Sequence, residues 1–194
     1  MRIIFASNNA HKLKEIRAIM PTDLEVIGLQ ESGIFQEIPE PHETLEKNAQ
    51  EKSRTIFRLT GESCFSEDTG LEVEALAGAP GVRSARYAGE NADSTKNIEK
   101  LLKQLQQKEN RKARFRTVIS LIWDGKEFSF EGICTGTISH HSSGEQGFGY
   151  DPVFIPDGSS KSFAEMDISE KNIFSHRKKA TEKLINFLHQ QCQE

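Results

Sequence analysis

The chain has 194 residues, of which 36% are hydrophobic and 28% charged, and its formal net charge at pH 7 is −4. This length and composition are typical of one globular domain that buries its own core, and they exclude a disordered or fibrous protein. The excess of acidic residues gives no overall attraction to nucleic acid or to an anionic membrane, so we expect neither as a partner.

The hydropathy pattern and the cysteines both bear on the cellular compartment. No apolar run approaches the length of a membrane span, and the first residues predict a strand rather than a signal peptide. Cys64, Cys134 and Cys192 are far apart, odd in number and without a C-x-x-C spacing. This pattern argues against disulfides and a structural zinc site, so we expect reduced thiols in a cytoplasmic protein.

The N-terminal segment predicts a strand, a loop and a helix. Residues 2–6 have the pattern of a buried strand, and apolar residues then recur at helical spacing until Pro21. The loop at residues 7–12 places small polar side chains, backbone N–H groups and Lys12 at the start of the helix. Helix N-termini favour anions, so this loop is a candidate phosphate site, although Ser and Asn before a helix are also ordinary caps.

A second strand, a loop and a second helix follow. The strand is predicted over residues 24–29, and the helix over residues 44–60, with Gly61 at the position of a C-terminal cap. The loop at residues 33–42 and the helix start that follows it carry three glutamates, Glu37, Glu40 and Glu43. Most acids in such a loop are solvated.

Two adjacent acids follow a short apolar segment. Residues 63–65 predict the end of a buried strand, and the Glu67-Asp68 pair is followed by Thr-Gly, which predicts that the strand opens into a turn. We therefore expect both carboxylates to face a cleft. Adjacent carboxylates repel each other, and a divalent cation with oxygen ligands removes that repulsion. A turn or helix-cap role for the two acids is the alternative.

The middle of the chain predicts a helix and then a hairpin. The helix begins at Asp93 or Ser94 and carries an amphipathic stripe. Residues 114–123 and 126–138 alternate between apolar and polar, which predicts two antiparallel strands joined by a two-residue Asp-Gly turn.

The segment after the hairpin carries two candidate ligand contacts. In Gly-Phe-Gly-Tyr-Asp-Pro, residues 147–152, the glycines allow close approach of a planar ligand to the backbone. Phe148 can stack on a base or fill the core. The adjacent His140 and His141 lack a third metal ligand at a recognisable spacing, so we expect exposed loop histidines.

The C-terminal segment predicts a short strand and a last helix. The strand covers residues 153–155, and the helix begins at Ser169 or Ser175 and ends near Gln190. Cations cluster at the helix start, namely Lys171, His176 and Arg177. Positive charge at a helix N-terminus opposes the helix dipole, so we expect an anionic or acceptor-rich partner nearby.

Four groups of motifs occur in order along the chain. They are S-N-N-x-H-K, then S-E-D-T-G-L-E-V with G-A-P-G-V-x-S-A-R-Y, then G-F-G-Y-D-P-V-F, and finally E-K-N-x-x-S-H-R-x-K-A. Together they closely resemble the inosine/xanthosine triphosphate pyrophosphatase family, from residue 2 to about residue 187. Each motif alone is a weak signal, whereas the four in order are highly specific.

The resemblance implies a fold and an activity. The implied fold is α/β, a single domain over residues 1–194 with a long mixed, partly antiparallel sheet flanked by helices and two lobes around a nucleotide cleft. Members of the family use Mg²⁺ to hydrolyse ITP, dITP and XTP to the monophosphate and pyrophosphate, which removes deaminated purines from the nucleotide pool. The implied partners are a nucleotide substrate and, as a homodimer, a second copy of the chain.

The resemblance also implies roles for individual residues. Asp68 is implied as the proton acceptor and as a metal carboxylate, and Glu40 as the second metal carboxylate. Nucleotide contacts are implied for Ser7, Asn8, Asn9, Ala10, His11, Lys12, Thr69, Phe148, Gly149, Tyr150, Asp151, Lys171, His176 and Arg177. We place Lys12 at the triphosphate and Phe148 on the base. Three cations are expected near the edge of the base, namely Lys171, His176 and Arg177.

The chain departs from the family pattern in two places. Many bacterial members have Asp-Asp-Ser-Gly where this chain has Glu-Asp-Thr-Gly, and the longer Glu67 side chain can move its carboxylate, so we expect Glu67 behind the metal ligands rather than among them. Members also tend to carry Glu-Asn-Ala in the second helix, where this chain has Lys47-Asn48-Ala49. That substitution removes an acid with a possible metal or water role.

Two other functions remain open from the sequence. A phosphatase acting through a phospho-aspartate needs two aspartates spaced by one residue, and here the first position is Ser66. A nucleotide sensor would keep the pocket and lose the chemistry, and the joint presence of Lys12, Glu40 and Asp68 argues against it. Release of orthophosphate alone from ITP would indicate the phosphatase, and no release would indicate the sensor.

Overall fold

The computed structural model describes residues 1–36 and 38–191, so Glu37 and Cys192 lie outside the described residues. Strands and helices alternate through most of this part of the chain. In chain order they are β1 (Arg2–Phe5), α1 (Ala10–Arg17), β2 (Glu25–Gly28), α2 (Leu45–Thr60), β3 (Cys64–Val73), β4 (Pro80–Gly81), α3 (Ser94–Gln104), β5 (Lys112–Trp123), β6 (Lys126–Ile138), β7 (Phe154–Pro156), α4 (Ile168–Phe174) and α5 (His176–Gln191).

The strands form one mixed sheet in the order β2-β1-β3-β5-β6-β7, and β4 pairs with β3 off this path. β1 is parallel to β2 and β3, whereas β4 is antiparallel to β3 and β7 is antiparallel to β6. The prediction of an α/β fold with a long, partly antiparallel sheet flanked by helices is confirmed.

The chain groups into two compact units. The first unit comprises Met1–Asp68, Thr117–Gly132 and Arg177–Glu194. The second unit comprises Thr69–Arg116 and Ile133–His176. A single domain over residues 1–194 stays a prediction.

Each unit has its own hydrophobic core. In the first unit, one cluster forms around Phe5, Phe65 and Leu184, whose exposed fractions are all 0%, and a smaller one around Ile56 and Cys64. The Phe5 and Phe65 rings stack with their centres 4.8 Å apart, on adjacent parallel strands. In the second unit, the core contains Leu71, Leu101, Phe115, Phe154 and Phe163. Both units therefore provide rigid elements on which side chains can be held.

Two predicted helices, α2 and α3, are confirmed, and both have capping residues at their ends. The Thr44 hydroxyl caps α2, and Gly61 ends it with a left-handed φ of 69°. Asp93 caps α3 in the same way. α1 is shorter than predicted. The apolar spacing predicted a helix up to Pro21, whereas the helix ends at Arg17, about one turn earlier.

The turn predicted after the two acids is wrong. β3 runs through Glu67 and Asp68 to Val73, so both acids lie inside a strand. Gly70 is not among the glycines with positive φ, and pairing with β4 extends the strand beyond it. Successive side chains of a strand point to opposite faces, so the two carboxylates point away from each other.

Of the two starts predicted for the last helix, Ser169 and Ser175, the second is confirmed, because α5 covers His176–Gln191 and Ser169 lies on the separate helix α4. Ser175, with ψ of 124°, interrupts the helical backbone between α4 and α5. Lys171 therefore lies on α4, whereas His176 and Arg177 begin α5. The predicted burial on α5 is present at positions 180, 184 and 188.

The predicted hairpin is confirmed. β5 and β6 are neighbours in the sheet and are joined by Asp124 and Gly125, with φ values of 48° and 74°. Two positive values in succession give a tight turn whose twist matches that of the flanking strands. As expected, His140 and His141 are exposed.

Among the described residues, Cys64 and Cys134 are buried thiols that lie outside any disulfide. None of the helices in residues 1–36 and 38–191 has both the length and the apolar character that crossing a membrane requires.

Candidate active site

Helix capping holds the loop before α1. Asn9 Oδ1 accepts hydrogen bonds from the backbone N–H groups of His11 and Lys12, at 3.0 and 3.2 Å. Ser7 Oγ accepts one from the Asn9 N–H at 3.2 Å. The capping role considered from the sequence is therefore present. Residues 8–11 are also exposed, so the loop can meet a ligand at a helix end that favours anions.

Four residues of the first unit, with alternating charge, contact one another in the order Lys12, Glu67, Arg177 and Glu15, and we call this group the charge ring. Arg177 donates from Nε and Nη2 to the two carboxylate oxygens of Glu67, at 2.8 and 2.9 Å, and from Nη1 to Glu15. The Lys12 ammonium lies 3.1 Å from Glu67 Oε1. Lys12 and Glu15 are three residues apart on α1, so both lie on the same side of that helix.

Burial strengthens the electrostatics of the charge ring. Arg177 and Glu67 are each 1% exposed. Burial alone would raise the pKa of the Glu67 carboxyl, but the charges of Arg177 and Lys12 outweigh it and hold the pKa well below its ordinary value. Burial likewise opposes the charge of Arg177, and Glu67 and Glu15 raise the pKa of Arg177 above its ordinary value. Glu67 and Arg177 therefore stay charged at neutral pH.

A second group in the same unit, which we call the acid pair, consists of Glu40 and Asp68 around Lys52. The Lys52 ammonium donates to Glu40 Oε1 at 2.8 Å and to Asp68 Oδ1 at 3.1 Å. Lys52 lies on the face of α2 that also buries Ala49 and Ile56. The two carboxylates that the resemblance implies as metal ligands thus converge on one cationic group.

The environment of Asp68 suits a proton acceptor. Burial raises the pKa of its carboxyl above the ordinary value, and the charges of Lys52 and Lys12 partly offset the rise. Burial would lower the pKa of Lys52, but Asp68 and Glu40 raise it, so the lysine stays charged. A carboxylate with a raised pKa beside fixed cations accepts a proton more readily than an ordinary aspartate.

The donor set of the acid pair fits a hard divalent cation. Mg²⁺ in phosphate sites takes one or two carboxylates and completes its shell with water and substrate phosphates. Glu40 and Asp68 supply two such carboxylates, already held around one positive charge. In the described part of the chain, no group of three or more His, Cys, Asp or Glu side chains could hold a metal. The acid pair is therefore better suited to a metal shared with a phosphate ligand than to one held by protein alone.

The second unit contains a different arrangement, which we call the aromatic cluster: Phe148, Asp151, Phe163 and Lys171. Asp151 Oδ2 accepts from the Lys171 ammonium at 2.6 Å and from the Phe148 N–H at 2.9 Å. The same ammonium lies 5.4 Å from the ring centre of Phe148 and 5.2 Å from that of Phe163, which is cation–π distance. The ion pair thus holds the half-buried Phe148 ring in place.

The two glycines around Phe148 have different functions. Both have positive φ, 75° at Gly147 and 63° at Gly149. A Cβ at Gly147 would collide with the Asp151 carboxylate, whereas one at Gly149 would have no neighbour within 4 Å. Gly147 therefore permits the close approach of Asp151 to this loop.

Two further residues of the second unit that were predicted to contact the nucleotide, His176 and Tyr150, are buried. The His176 ring stacks on Phe115 with centres 4.6 Å apart, and it is 2% exposed. Tyr150 donates its hydroxyl hydrogen to the Ser84 carbonyl at 2.9 Å, and burial raises the pKa of that hydroxyl. Thr69 follows Asp68 in β3 and is half-buried. Direct nucleotide contact by these residues stays a prediction.

Sequence reasoning missed Lys52 and Glu15. Both are charged residues on core-facing positions of helices, 6% and 8% exposed respectively. Charged side chains are almost never buried unless they are paired. The available signal was a lysine in register with Ala49 and Ile56. The expected anionic partner of Arg177 is present as Glu67 and Glu15, and contact of Arg177 with the base edge stays a prediction.

Comparison with known proteins gives consistent results over the whole chain. The model of the Ham1 family matches residues 3–187. A dITP/XTP pyrophosphatase from Porphyromonas gingivalis is 51% identical over 188 residues, which cover 96% of this chain and 97% of that protein. A dITP/XTP pyrophosphatase from Flavobacterium johnsoniae is 45% identical over 188 residues, covering 97% of this chain and 98% of that protein.

Solved structures agree with the sequence matches. The Ham1 protein of Staphylococcus aureus superposes with a TM-score of 0.88 at 39% identity, covering 98% of this chain and 100% of that one. A HAM1 protein from Coxiella burnetii superposes with a TM-score of 0.89 at 35% identity, covering 98% and 99%. With the family model matching nearly every residue and relatives at this level of identity, the chain belongs to the Ham1 family.

Proposed function

We propose that this protein is a nucleoside-triphosphate pyrophosphatase that hydrolyses ITP, dITP and XTP, with Mg²⁺, to the monophosphate and pyrophosphate. Two full-length relatives carry the name dITP/XTP pyrophosphatase. The observation that carries the proposal is the acid pair. The carboxylates of Glu40 and Asp68 both contact the buried Lys52 ammonium, in the unit that also contains Lys12.

The charged groups of the first unit fit the needs of triphosphate cleavage, which are neutralised phosphate charge, an oriented water and a base. Asp68 takes a proton from the water that attacks the α-phosphorus, and the bond from that phosphorus to the bridging oxygen breaks to release pyrophosphate. Lys12 and the N–H groups at the start of α1 offset the negative charge of the phosphates. Mg²⁺ held by Glu40 and Asp68 supplies further charge neutralisation on the phosphate oxygens when bound.

Lys52 keeps the acid pair together. Two carboxylates brought close without a cation would repel each other, and one would take up a proton. The Lys52 ammonium, within 3.1 Å of both, lets each stay ionised. This arrangement keeps Asp68 available as a base.

The aromatic cluster supports a proposal about the base. Phe148 offers a ring face for stacking, and Lys171 places a hydrogen-bond donor beside it. Hypoxanthine and xanthine carry an acceptor oxygen at C6, whereas adenine carries an amino group there. A site built to donate at that edge can reject the amino analogue by about 10⁴-fold. GTP carries the same C6 oxygen, so its rejection requires a contact at the 2-amino group.

Other parts of the resemblance stay predictions, including a homodimer and a cytoplasmic location. The remaining proposed nucleotide contacts are Ser7, Asn8, Asn9, Ala10, His11, Thr69, Gly149, Tyr150, Asp151, His176 and Arg177.

A product assay tests the proposed function. The purified chain is incubated with Mg²⁺ and each of ITP, dITP, XTP, GTP and ATP, and pyrophosphate and orthophosphate are measured separately. We expect pyrophosphate and the monophosphate from the first three, very slow turnover of ATP, and loss of turnover with a chelator. Orthophosphate alone would indicate a phosphatase, and no turnover of any nucleotide would indicate a nucleotide sensor.

A further inference from the structure

The charge ring contains a residue, Glu15, that no motif singled out. The ring is balanced, with two carboxylates and two cations carried on α1, β3 and α5. Arg177 uses both edges of its guanidinium, one for Glu67 and one for Glu15. Glu67 Oε1 accepts a hydrogen bond from Arg177 and also forms an ion pair with the Lys12 ammonium. A change at one member therefore alters the partners of the next.

Exposure is not uniform around the ring. The side chains of Arg177 and Glu67 are 1% and 0% exposed, that of Glu15 11%, and that of Lys12 16%. Within the charge ring, Arg177 and Glu67 are thus buried, and Lys12 is the member most exposed to solvent. Lys12 is therefore the member best placed to meet a ligand, and the position of its ammonium is set by the buried members behind it.

We propose that Glu15 is a positioning residue for Lys12. Glu15 fixes Arg177, Arg177 orients the Glu67 carboxylate, and Glu67 holds the Lys12 ammonium at the start of α1 for the phosphate groups of the substrate. This inference rests on the proposed function, because it takes a polyphosphate as the ligand of Lys12.

Loss of the Glu15 charge has a defined consequence in this geometry. Two cations would then share the single carboxylate of Glu67. Arg177 is buried and donates to both carboxylate oxygens of Glu67. Without Glu15 it would bind the Glu67 carboxylate more strongly, and the Lys12 ammonium would lose its fixed partner. The alternative is that Glu15 only neutralises a buried arginine. In that case its loss would reduce stability without changing how Lys12 meets phosphate.

A double-mutant cycle separates the two roles. The variants are Glu15→Gln, Lys12→Ala and the double variant, and the measured quantity is the dissociation constant for Mg²⁺-tripolyphosphate, by calorimetry. We expect Glu15→Gln to weaken binding about tenfold when Lys12 is present and less than about twofold when it is absent, a coupling typical of residues in one network. Parallel measurement of kcat and KM for ITP should show the same coupling.

Two further variants complete the design. Glu31→Gln removes the exposed partner of Arg17, another ion pair of α1, and should leave tripolyphosphate affinity unchanged. Glu15→Asp keeps the charge on a shorter side chain and should weaken binding by less than Glu15→Gln. If Glu15→Gln does not fold, the cycle is run with Glu15→Asp, whose expected loss of about threefold must also vanish without Lys12.

The outcomes are distinct. Wild-type affinity in a folded Glu15→Gln variant, or an equal loss with and without Lys12, would overturn the inference. A wild-type protein that binds tripolyphosphate but releases no pyrophosphate from ITP would overturn the proposed function, and the binding cycle would still decide the role of Glu15. A wild-type protein that binds no tripolyphosphate would overturn the inference outright.

Discussion

The charged residues of the two units are arranged in contrasting ways. In the first unit, the charge ring and the acid pair bring seven charged side chains into buried or partly buried contacts. In the second unit, the aromatic cluster contains one ion pair, Asp151 with Lys171, next to the rings of Phe148 and Phe163. The first is a concentrated electrostatic field, and the second is an apolar surface with one polar edge.

This contrast indicates a division of labour. A field of fixed charges acts on phosphate whatever base is attached, whereas a ring face with one directional donor distinguishes one base edge from another. Under the proposed function, we expect phosphate chemistry from the first unit and base choice from the second.

The largest expected effect is at Asp68. Asp68→Asn keeps the size of the side chain and removes its basicity and charge, so turnover of ITP should fall by at least ~10²-fold, the usual effect of losing a general base. A coupled assay of pyrophosphate release measures the turnover rate, and circular dichroism verifies that the variant is folded. A folded variant within a few-fold of the wild-type rate would remove Asp68 from the chemistry.

The next effect concerns the ring face of the second unit. Phe148→Ala should weaken the binding of ITP, XTP and ATP by similar factors, about tenfold each, because stacking acts on every base. Competition binding with the three nucleotides measures it. The variant Phe174→Ala, at a half-buried residue that packs against the core outside the aromatic cluster, controls for loosened packing. A loss confined to one nucleotide would mean that Phe148 reads an edge rather than a face.

A matched pair of glycine variants tests how the aromatic cluster is built. Gly147→Ala and Gly149→Ala both strain a left-handed backbone, by about 1–2 kcal/mol. Only the first also drives a methyl group into Asp151, which should add about 1–3 kcal/mol of destabilisation. Urea unfolding of both variants measures the difference. Equal stabilities would show that Asp151 moves aside without strain.

The smallest effect is a pH dependence of the charge ring. Glu67 has a lowered pKa when folded, so its stabilisation is complete above its ordinary value of 4.5 and is lost as pH falls towards the folded value. The wild-type protein should therefore exceed Glu67→Gln in stability at pH 7. This advantage should shrink by about 1.4 kcal/mol per pH unit below pH 4.5. Chemical unfolding from pH 7 to 3 measures it, and a constant difference would contradict the lowered pKa.

Sequence reasoning predicted the elements whose signals are local. The Asp93 cap, the Gly61 C-cap and the Asp124-Gly125 turn each specify backbone geometry within a few residues. It failed at Gly70, where Thr-Gly was interpreted as a turn. Whether a strand continues past such a dipeptide depends on a pairing partner elsewhere in the chain, here β4, and that is a tertiary property.

The site shows the same limit. The family resemblance implied Glu40 and Asp68 as two metal carboxylates, and in the structure both contact Lys52. Lys52 and Glu15 were missed because a charged residue on a helix is usually solvated, and only the fold shows that these two are buried. Similarly, nothing near Arg177 in the sequence indicates that its carboxylate partners lie 110 and 162 residues away.

The ratio of kcat/KM for ITP to that for ATP tests the division of labour most directly, measured in Lys12→Ala and in Lys171→Met. Lys12→Ala should lower both values by the same factor and leave the ratio unchanged, because phosphate is common to both substrates. Lys171→Met keeps the length of the side chain and removes the donor, so the ratio should fall at least about tenfold. A ratio that changes in Lys12→Ala and is preserved in Lys171→Met would contradict the assignment of phosphate chemistry to the first unit and base choice to the second.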